Sequence, residues 1–173
     1  ENENKKILVF VRTKVRAERV CKALERMEIG SATLHGDKEQ HDRLKTLDGF
    51  RNGQITILIA TDVSARGIDI PNVDFVVNYD VPENPETYVH RVGRTGRAFL
   101  KGLAVTFCSP EEKKLLLDIE VFLQKPVKVL EIEKKDYADT ISFTMDVTDD
   151  WKSLLKEEEE AERAGKKKKK RKK

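Results

Sequence analysis

Apolar, strand-like runs alternate with helix-like stretches along most of the chain, and this alternation constrains the fold more than any other feature. Residues 7–11 are continuously apolar, as in a strand buried on both faces of a sheet, and residues 55–60 are strand-like again. After the first run, apolar residues from Val15 to Met27 recur at helical spacing, and Gly30 lies where such a helix stops. Strands separated by helices form βαβ units, so the sequence predicts an α/β fold with a parallel sheet.

The alternation continues to about residue 125 in elements bounded by Gly, Pro and Asn. In the helical stretches the apolar residues share one stripe, as in helices that cover a sheet. The sequence therefore predicts strands at 32–34, 75–78 and 104–108, helices at 38–51 and 86–92 with another beginning near 109–112, and a loop over 61–71.

The net charge of the chain is the sum of two unlike parts. The 173 residues include 34 Lys and Arg and 31 Asp and Glu, a formal charge of +3. Residues 166–173 are all basic, which leaves 26 basic against 31 acidic side chains, or −5, in residues 1–165. The net charge of the body therefore does not indicate its ligand.

Cysteine usage and the N-terminal residues favour a cytoplasmic protein. Cys21 and Cys108 are far apart and have no partner at metal-ligand spacing, so we interpret both as small core side chains in a reducing compartment. The first six residues lead directly into an apolar run without the pattern of a signal peptide. No run approaches the roughly 18 apolar residues of a membrane-spanning helix, so we expect no membrane association.

The segment 60–71 combines two carboxylates, an arginine, two hydroxyls and a glycine after a buried strand. Gly67 permits close approach of a ligand, the hydroxyls can bind phosphate or sugar, and Asp69 can accept hydrogen bonds from a ribose. The alternative is a helix cap at Thr61 or Asp62 followed by a tight turn at Gly67. The residues alone leave both interpretations open.

Three arginines, Arg91, Arg94 and Arg97, are spaced three residues apart. A helical or turn backbone brings their guanidinium groups to one side, where like charges repel. We therefore expect an anionic ligand, because guanidinium groups bind phosphate oxygens bidentately and stabilise the charge that develops in phosphoryl transfer. The alternative is that these arginines pair with Asp or Glu side chains of the same domain.

A third cluster consists of residues 35–37 (His-Gly-Asp), followed by Gln40 and Arg43. Gly36 and the start of the following helix offer backbone N–H groups to a phosphate, and Arg43 adds positive charge. A loop with a capping Asp gives a similar pattern, so the cluster is a weak signal by itself.

Together these segments resemble the second RecA-like domain of DEAD-box RNA helicases. They occur in the order and at the spacing of that family, and a motif VI that begins His-Arg favours the DEAD-box family over its DEAH-type relatives. The matching segments are residues 10–14 (motif IV), 35–43 (the glycine-containing and Gln-x-x-Arg motifs), 60–70 (motif V) and 90–97 (motif VI).

The resemblance implies that this chain forms one side of an ATP-binding site. Arg94 and Arg97 match the arginine fingers that reach the ATP phosphates across the cleft between two RecA-like domains. Arg91 and His90 match residues that support the closed arrangement, which completes the candidate catalytic set. Asp69 matches the residue that bonds the ATP ribose.

The resemblance also implies RNA binding. Thr13, Gly36, Arg43, Thr61 and Gly67 match positions that hold the sugar-phosphate backbone. Contacts of this kind carry no base information, so the implied binding is independent of sequence and weakens with salt.

The chain contains neither the phosphate-binding Gly-x-x-x-x-Gly-Lys-Ser/Thr loop nor the Asp-Glu-Ala-Asp box that holds Mg²⁺. The resemblance therefore implies half of an ATP-dependent enzyme that unwinds short RNA duplexes, with the Mg²⁺ held by an N-terminal RecA-like domain of the same polypeptide. We expect the chain to be a monomer, and to be inactive by itself. The alternatives are a DNA helicase or translocase of the same superfamily and a non-enzymatic RNA-binding module.

The predicted organisation is a RecA-like domain at residues 1–135, an extension at 136–165 that is either folded or only partly ordered, and a disordered basic tail at 166–173. Basic tails in this family often tether RNA, and such a run adds non-specific affinity by releasing counterions. The alternatives for the tail are a solubilising end or a run resembling a nuclear-localisation signal.

Overall fold

The structure is a computed structural model that describes residues 5–65, 70, 73–96 and 102–130. It confirms the predicted α/β class, with five parallel strands in the order β2-β3-β1-β4-β5. The strands are β1 (Ile7–Val11), β2 (Ala32–Leu34), β3 (Ile57–Thr61), β4 (Phe75–Asn78) and β5 (Leu103–Thr106).

Helices flank the sheet and connect its strands. The first helix begins at Lys14 and is capped by the hydroxyl of Thr13. The fourth helix begins at Pro85 and is capped by the side chain of Asn84. The helices are α1 (Lys14–Arg26), α2 (Gln40–Arg51), α3 (Asp62–Ala65), α4 (Pro85–Val92) and α5 (Lys113–Leu123).

Strand β1 is buried on both faces because alternate side chains enter different clusters. Leu8 and Phe10 pack in the cluster that contains side chains of α2 and α3. Val9 and Val11 pack with Ala17 of α1 on the other face. Burial on both faces thus explains the continuous apolar run at residues 7–11, as expected for a central parallel strand.

All five strands end at the same edge of the sheet, because they are parallel. The register places Val11 beside Thr61 and Leu34 beside Ala60. The segments that follow β1, β2 and β3 are therefore neighbours, and this edge carries the predicted functional loops.

The region predicted as a loop over 61–71 begins differently. Strand β3 continues through Thr61, and the short helix α3 follows at once. The Ser64 hydroxyl accepts a hydrogen bond from the Thr61 N–H at 3.2 Å and lies 2.6 Å from the Leu34 carbonyl oxygen. This tertiary contact stabilises a helical turn where the predicted loop was to begin, at the place of the alternative helix cap. The helix expected near 109–112 also has a separate first turn, a 3₁₀ turn at Pro110–Glu112, before α5.

Both cysteines are partly buried and pack against apolar clusters: Cys21 lies on α1 and packs against the cluster of Val9 and Val11, and Cys108 packs beside α4 and α5. Burial, together with the nearby Glu112 carboxylate, raises the pKa of the Cys108 thiol.

Among the described residues, no helix has the length and apolar character to cross a membrane. The first compact unit of the chain ends at Val127, and the extension and tail predicted at 136–173 lie outside the described residues.

Candidate functional site

Thr13 lies in the turn between β1 and α1, at the carboxyl edge of the sheet. Its hydroxyl oxygen accepts a hydrogen bond from the Arg16 N–H at 3.2 Å, and the side chain is exposed. The hydroxyl proton is therefore left to be donated to a ligand such as a phosphate oxygen.

The turn that carries Thr13 is held by Asp80, which follows β4 and is 2% exposed. The Asp80 carboxylate accepts a hydrogen bond from the Arg12 N–H at 2.7 Å and forms an ion pair with Arg16. Buried carboxylates of this kind are stabilised by such partners. The Thr13 turn is thus fixed by side chains before any ligand binds.

Gly36 and Arg43 lie in and after the loop that follows β2. A Cβ atom added at Gly36 would meet nothing within 4 Å, so packing inside the domain does not require glycine here. The Arg43 side chain is half-buried, with Nη1 3.3 Å from the Gln40 side-chain oxygen. No carboxylate among the described residues pairs with Arg43, and its Nε is buried without a hydrogen-bond partner. Open space at Gly36 and a guanidinium without a carboxylate partner among the described residues each suit an anion.

Thr61, also a candidate RNA contact, is 8% exposed. Its hydroxyl lies 2.8 Å from the Ser64 hydroxyl, so in this structure it takes part in the start of α3. Helix α3 thus begins directly after Thr61, and the contact joins two hydroxyl groups, whereas a helix cap would accept a backbone N–H of the first turn.

A cavity of about 230 Å³ opens between the start of α3 and the end of α4. Its lining combines apolar side chains with three that are cationic or can become so. The lining residues are Phe10, Asp62, Ala65, Thr87, His90, Arg91 and Arg94.

Arg91 is paired with a carboxylate of its own domain. It is 2% exposed, and its Nε and Nη2 donate hydrogen bonds to the two carboxylate oxygens of Asp62, each at 2.7 Å. Its guanidinium carbon also lies 5.1 Å from the centre of the Phe10 ring. The expectation that an anionic ligand balances the charge of all three arginines is wrong for Arg91. Asp62, which directly follows β3, balances that charge instead. This pairing fits a supporting role for Arg91.

Arg94 differs from Arg91 although both border the cavity. It is half-buried, and no carboxylate among the described residues lies within ion-pair distance of it. The turn that carries it is anchored, since its carbonyl accepts the Val73 N–H at 3.1 Å and the Thr95 hydroxyl donates to the Asp74 carbonyl at 3.1 Å. An anchored, uncompensated guanidinium at a cavity is suited to binding phosphate.

The exposed ring of His90 lines the same cavity, and so the structure brings His90, Arg91 and Arg94 together. A Cβ atom at Gly102 would collide with the Thr95 side chain and the Gly96 backbone, so glycine lets the chain pass close to the Arg94 turn. The remaining candidates, Gly67, Asp69 and Arg97, lie outside the described residues.

Sequence reasoning missed the polar residues that hold these loops. Asn78 and Asp80 both bond Arg91: its Nη1 lies 3.2 Å from the Asn78 side-chain oxygen and 2.9 Å from the Asp80 carbonyl oxygen. Their signal is their position at the carboxyl end of an apolar strand, because Asn78 ends β4 and Asp80 follows two residues later, and the ends of parallel strands meet at one edge.

Comparison of the sequence with known proteins finds helicases. The model of the helicase conserved C-terminal domain family matches residues 1–99. The ATP-dependent RNA helicase DeaD of Buchnera aphidicola is 45% identical over 130 residues, which are 75% of this chain and 22% of that protein. The ATP-dependent rRNA helicase RRP3 of Saccharomyces cerevisiae is 44% identical over 130 residues, which are 75% of this chain and 26% of that protein. The chain thus spans about a quarter of the length of these curated relatives.

Solved structures show the same likeness. The E. coli DEAD-box protein SrmB, solved in complex with regulator of ribonuclease activity A, has 35% identity and a TM-score of 0.73, and the match covers 78% of this chain and 79% of that chain. S. cerevisiae Dbp5 bound to RNA and ADP BeF3 has 34% identity and a TM-score of 0.69, and the match covers 83% of this chain and 38% of that chain.

Proposed function

The chain belongs to the DEAD-box RNA helicase family, as its C-terminal RecA-like domain, and from this membership we propose that it is the second half of an ATP-dependent RNA helicase. It acts with an N-terminal RecA-like domain of the same polypeptide. The two halves close on ATP and RNA together, and closure bends the bound strand so that one strand of a short duplex is released.

The observation that carries the proposal is the contrast between Arg91 and Arg94. Arg91 is neutralised by Asp62, whereas Arg94, on the same cavity, has no carboxylate partner among the described residues. In the closed enzyme Arg94, together with Arg97, binds the ATP phosphates and stabilises the charge that develops on them. Arg91 and His90 support the loop, and Asp69 bonds the ribose.

ATP supplies the phosphoryl group whose transfer to water drives the cycle. The cavity beside Arg94 suits its anionic phosphates. Among the residues that the structure describes, no group of three or more His, Cys, Asp or Glu side chains could hold a metal ion. We assign the Mg²⁺ to the N-terminal half because the family holds it with an Asp-Glu-Ala-Asp box, which this sequence does not contain.

RNA passes along the carboxyl edge of β2, β3 and β1. The Thr13 hydroxyl, the open space at Gly36 and the uncompensated charge of Arg43 support contacts with its sugar-phosphate backbone. Thr61 and Gly67 complete the set, with Thr61 contributing once its hydroxyl turns from Ser64. Binding is independent of sequence because no base edge is read.

The experiment compares the 173-residue chain alone with the full-length protein that contains it. We expect no ATPase activity from the chain alone and, from the full-length protein, activity that single-stranded RNA stimulates and single-stranded DNA of the same length does not. RNA-stimulated hydrolysis by the chain alone would contradict its role as half of a site. Equal stimulation by DNA would favour the DNA translocase, and no hydrolysis by the full-length protein would favour a binding module.

A further inference from the structure

Glu18, on the second turn of α1, reaches across to β2 and to the loop that follows it. Its Oε1 accepts a hydrogen bond from the Thr33 hydroxyl at 2.7 Å and lies 2.6 Å from His35 Nε2. Thr33 and His35 are two residues apart on an extended chain, so both side chains face α1. Gly36, a candidate RNA contact, is the next residue.

The His35 ring is held by Glu18. The residue is 7% exposed, and its Nδ1 is buried without a hydrogen-bond partner among the described residues. The ring orientation therefore depends on the bond from Nε2 to Glu18 and on packing. Partial burial raises the pKa of Glu18, but the hydrogen bonds from Thr33 and His35, together with the charges of His35 and Lys38, outweigh burial and hold that pKa below its ordinary value. Glu18 is thus an ionised acceptor for both donors at neutral pH.

A second pair holds the same loop from the other side of Gly36. Lys14, one turn before Glu18 on α1, forms an ion pair with Asp37. Both side chains are more than half exposed, and exposed pairs contribute little. The bond between His35 and Glu18 is better shielded from solvent, because the His35 side chain is 9% exposed although that of Glu18 is 46% exposed, and it is therefore the stronger restraint on the loop.

We propose that Glu18 is a positioning residue for RNA binding, which holds His35 so that the backbone of Gly36 is presented to the RNA beside Thr13. The inference rests on the proposed function, because it assumes that the Gly36 loop contacts RNA. A loop ordered before the RNA arrives loses less conformational entropy on binding, so removal of the restraint weakens affinity without removing a contact atom.

The test uses the 173-residue chain and a short oligouridylate, followed by the amide NMR signals of Thr13, Gly36 and the basic tail. In Glu18→Gln we expect the dissociation constant read at Gly36 to rise about fivefold, the loss typical of weakening one charge-assisted hydrogen bond. Signals of the tail, which binds separately, titrate as in the wild type. Glu25→Gln, which removes the same charge from an exposed position of α1, leaves the Gly36 titration unchanged.

Two variants of His35 separate positioning from packing. His35→Gln keeps a side-chain N–H for Glu18 and retains affinity close to that of the wild type, whereas His35→Leu, which packs but cannot donate, behaves like Glu18→Gln. A Glu18→Gln chain whose Gly36 signal titrates like the wild type overturns the inference, as does His35→Leu with full affinity. If the Thr13 and Gly36 signals of the wild type do not respond to RNA, the proposed RNA contact itself has failed.

Discussion

Arg91 and Asp62 form a two-pronged ion pair in which each carboxylate oxygen accepts one N–H at 2.7 Å. The Arg91 side chain is 3% exposed, and Nη1 donates to the Asn78 side chain and the Asp80 carbonyl. Helix α4 is thereby tied to the ends of β3 and β4. Arg94 borders the same cavity as Arg91 but has no such partner among the described residues, and this difference distinguishes the two arginines.

Replacement of Asp62 by Asn should destabilise the domain. The change keeps the shape of the side chain but leaves the buried Arg91 charge uncompensated, and we expect the free energy of unfolding to fall by about 3 kcal/mol. Urea denaturation measures it. Asp48→Asn is the matched control, since Asp48 pairs with Arg51 on the surface and its loss should change stability by less than about 0.5 kcal/mol. Equal effects of the two variants would contradict a structural role for the buried pair.

Replacement of Arg94 by Ala should affect chemistry and spare stability. In the full-length protein we expect kcat for RNA-stimulated ATP hydrolysis to fall about 10³-fold, as for loss of an arginine finger, with RNA affinity nearly unchanged. Arg94→Lys should not restore the rate, because an ammonium group cannot bind phosphate bidentately. Arg26→Ala, at the opposite end of α1 from the functional edge, is the control. A parallel loss of ATPase activity and RNA affinity in Arg94→Ala would argue against the finger assignment.

Removal of residues 166–173 should weaken RNA binding chiefly at low salt. Each phosphate neutralised by the tail contributes about 0.7 to the slope of log K against log salt concentration for single strands, so the truncated chain should show a shallower slope. Fluorescence anisotropy with labelled RNA over a salt series measures it. A tail of equal length with serine at each basic position should behave like the truncation, and an unchanged slope would favour a solubilising tail.

The Glu18 carboxylate should contribute stability that depends on pH. Its pKa in the folded chain lies below the ordinary value of 4.5, so the folded state stabilises the ionised form. This contribution is complete above the unfolded pKa and is lost as the pH falls through the folded pKa. We expect the stability difference between the wild type and Glu18→Gln to shrink between about pH 5 and pH 3. Urea denaturation across this range tests it, with Glu25→Gln as background, and a difference that grows on acidification would have the wrong sign.

The elements of the fold that depend on local pattern could be predicted from the chain. The strand at 7–11 and the helix ending at Arg51 follow from apolar runs, helical periodicity and the Asn-Gly stop after it. The start of helix α3 was only one of two interpretations that the residues allowed, because Ser64 stabilises the helix by a bond to the Leu34 carbonyl, thirty residues earlier. Local propensity contains no information on a contact over that distance.

Some features of the candidate site could likewise be predicted from the sequence, and others could not. Its loops could be located because parallel strands end at one edge, and the motifs identified the family. The regular three-residue spacing of the arginines gave Arg91 and Arg94 the same predicted role, however. That spacing contains no information on their different partners. The α/β class, the order of the elements and the loops that carry the candidate phosphate-binding side chains all follow from the amino-acid sequence. Which arginine is neutralised does not follow from it, because the pairing depends on the strand register that brings Asp62 and Asn78 beside Arg91.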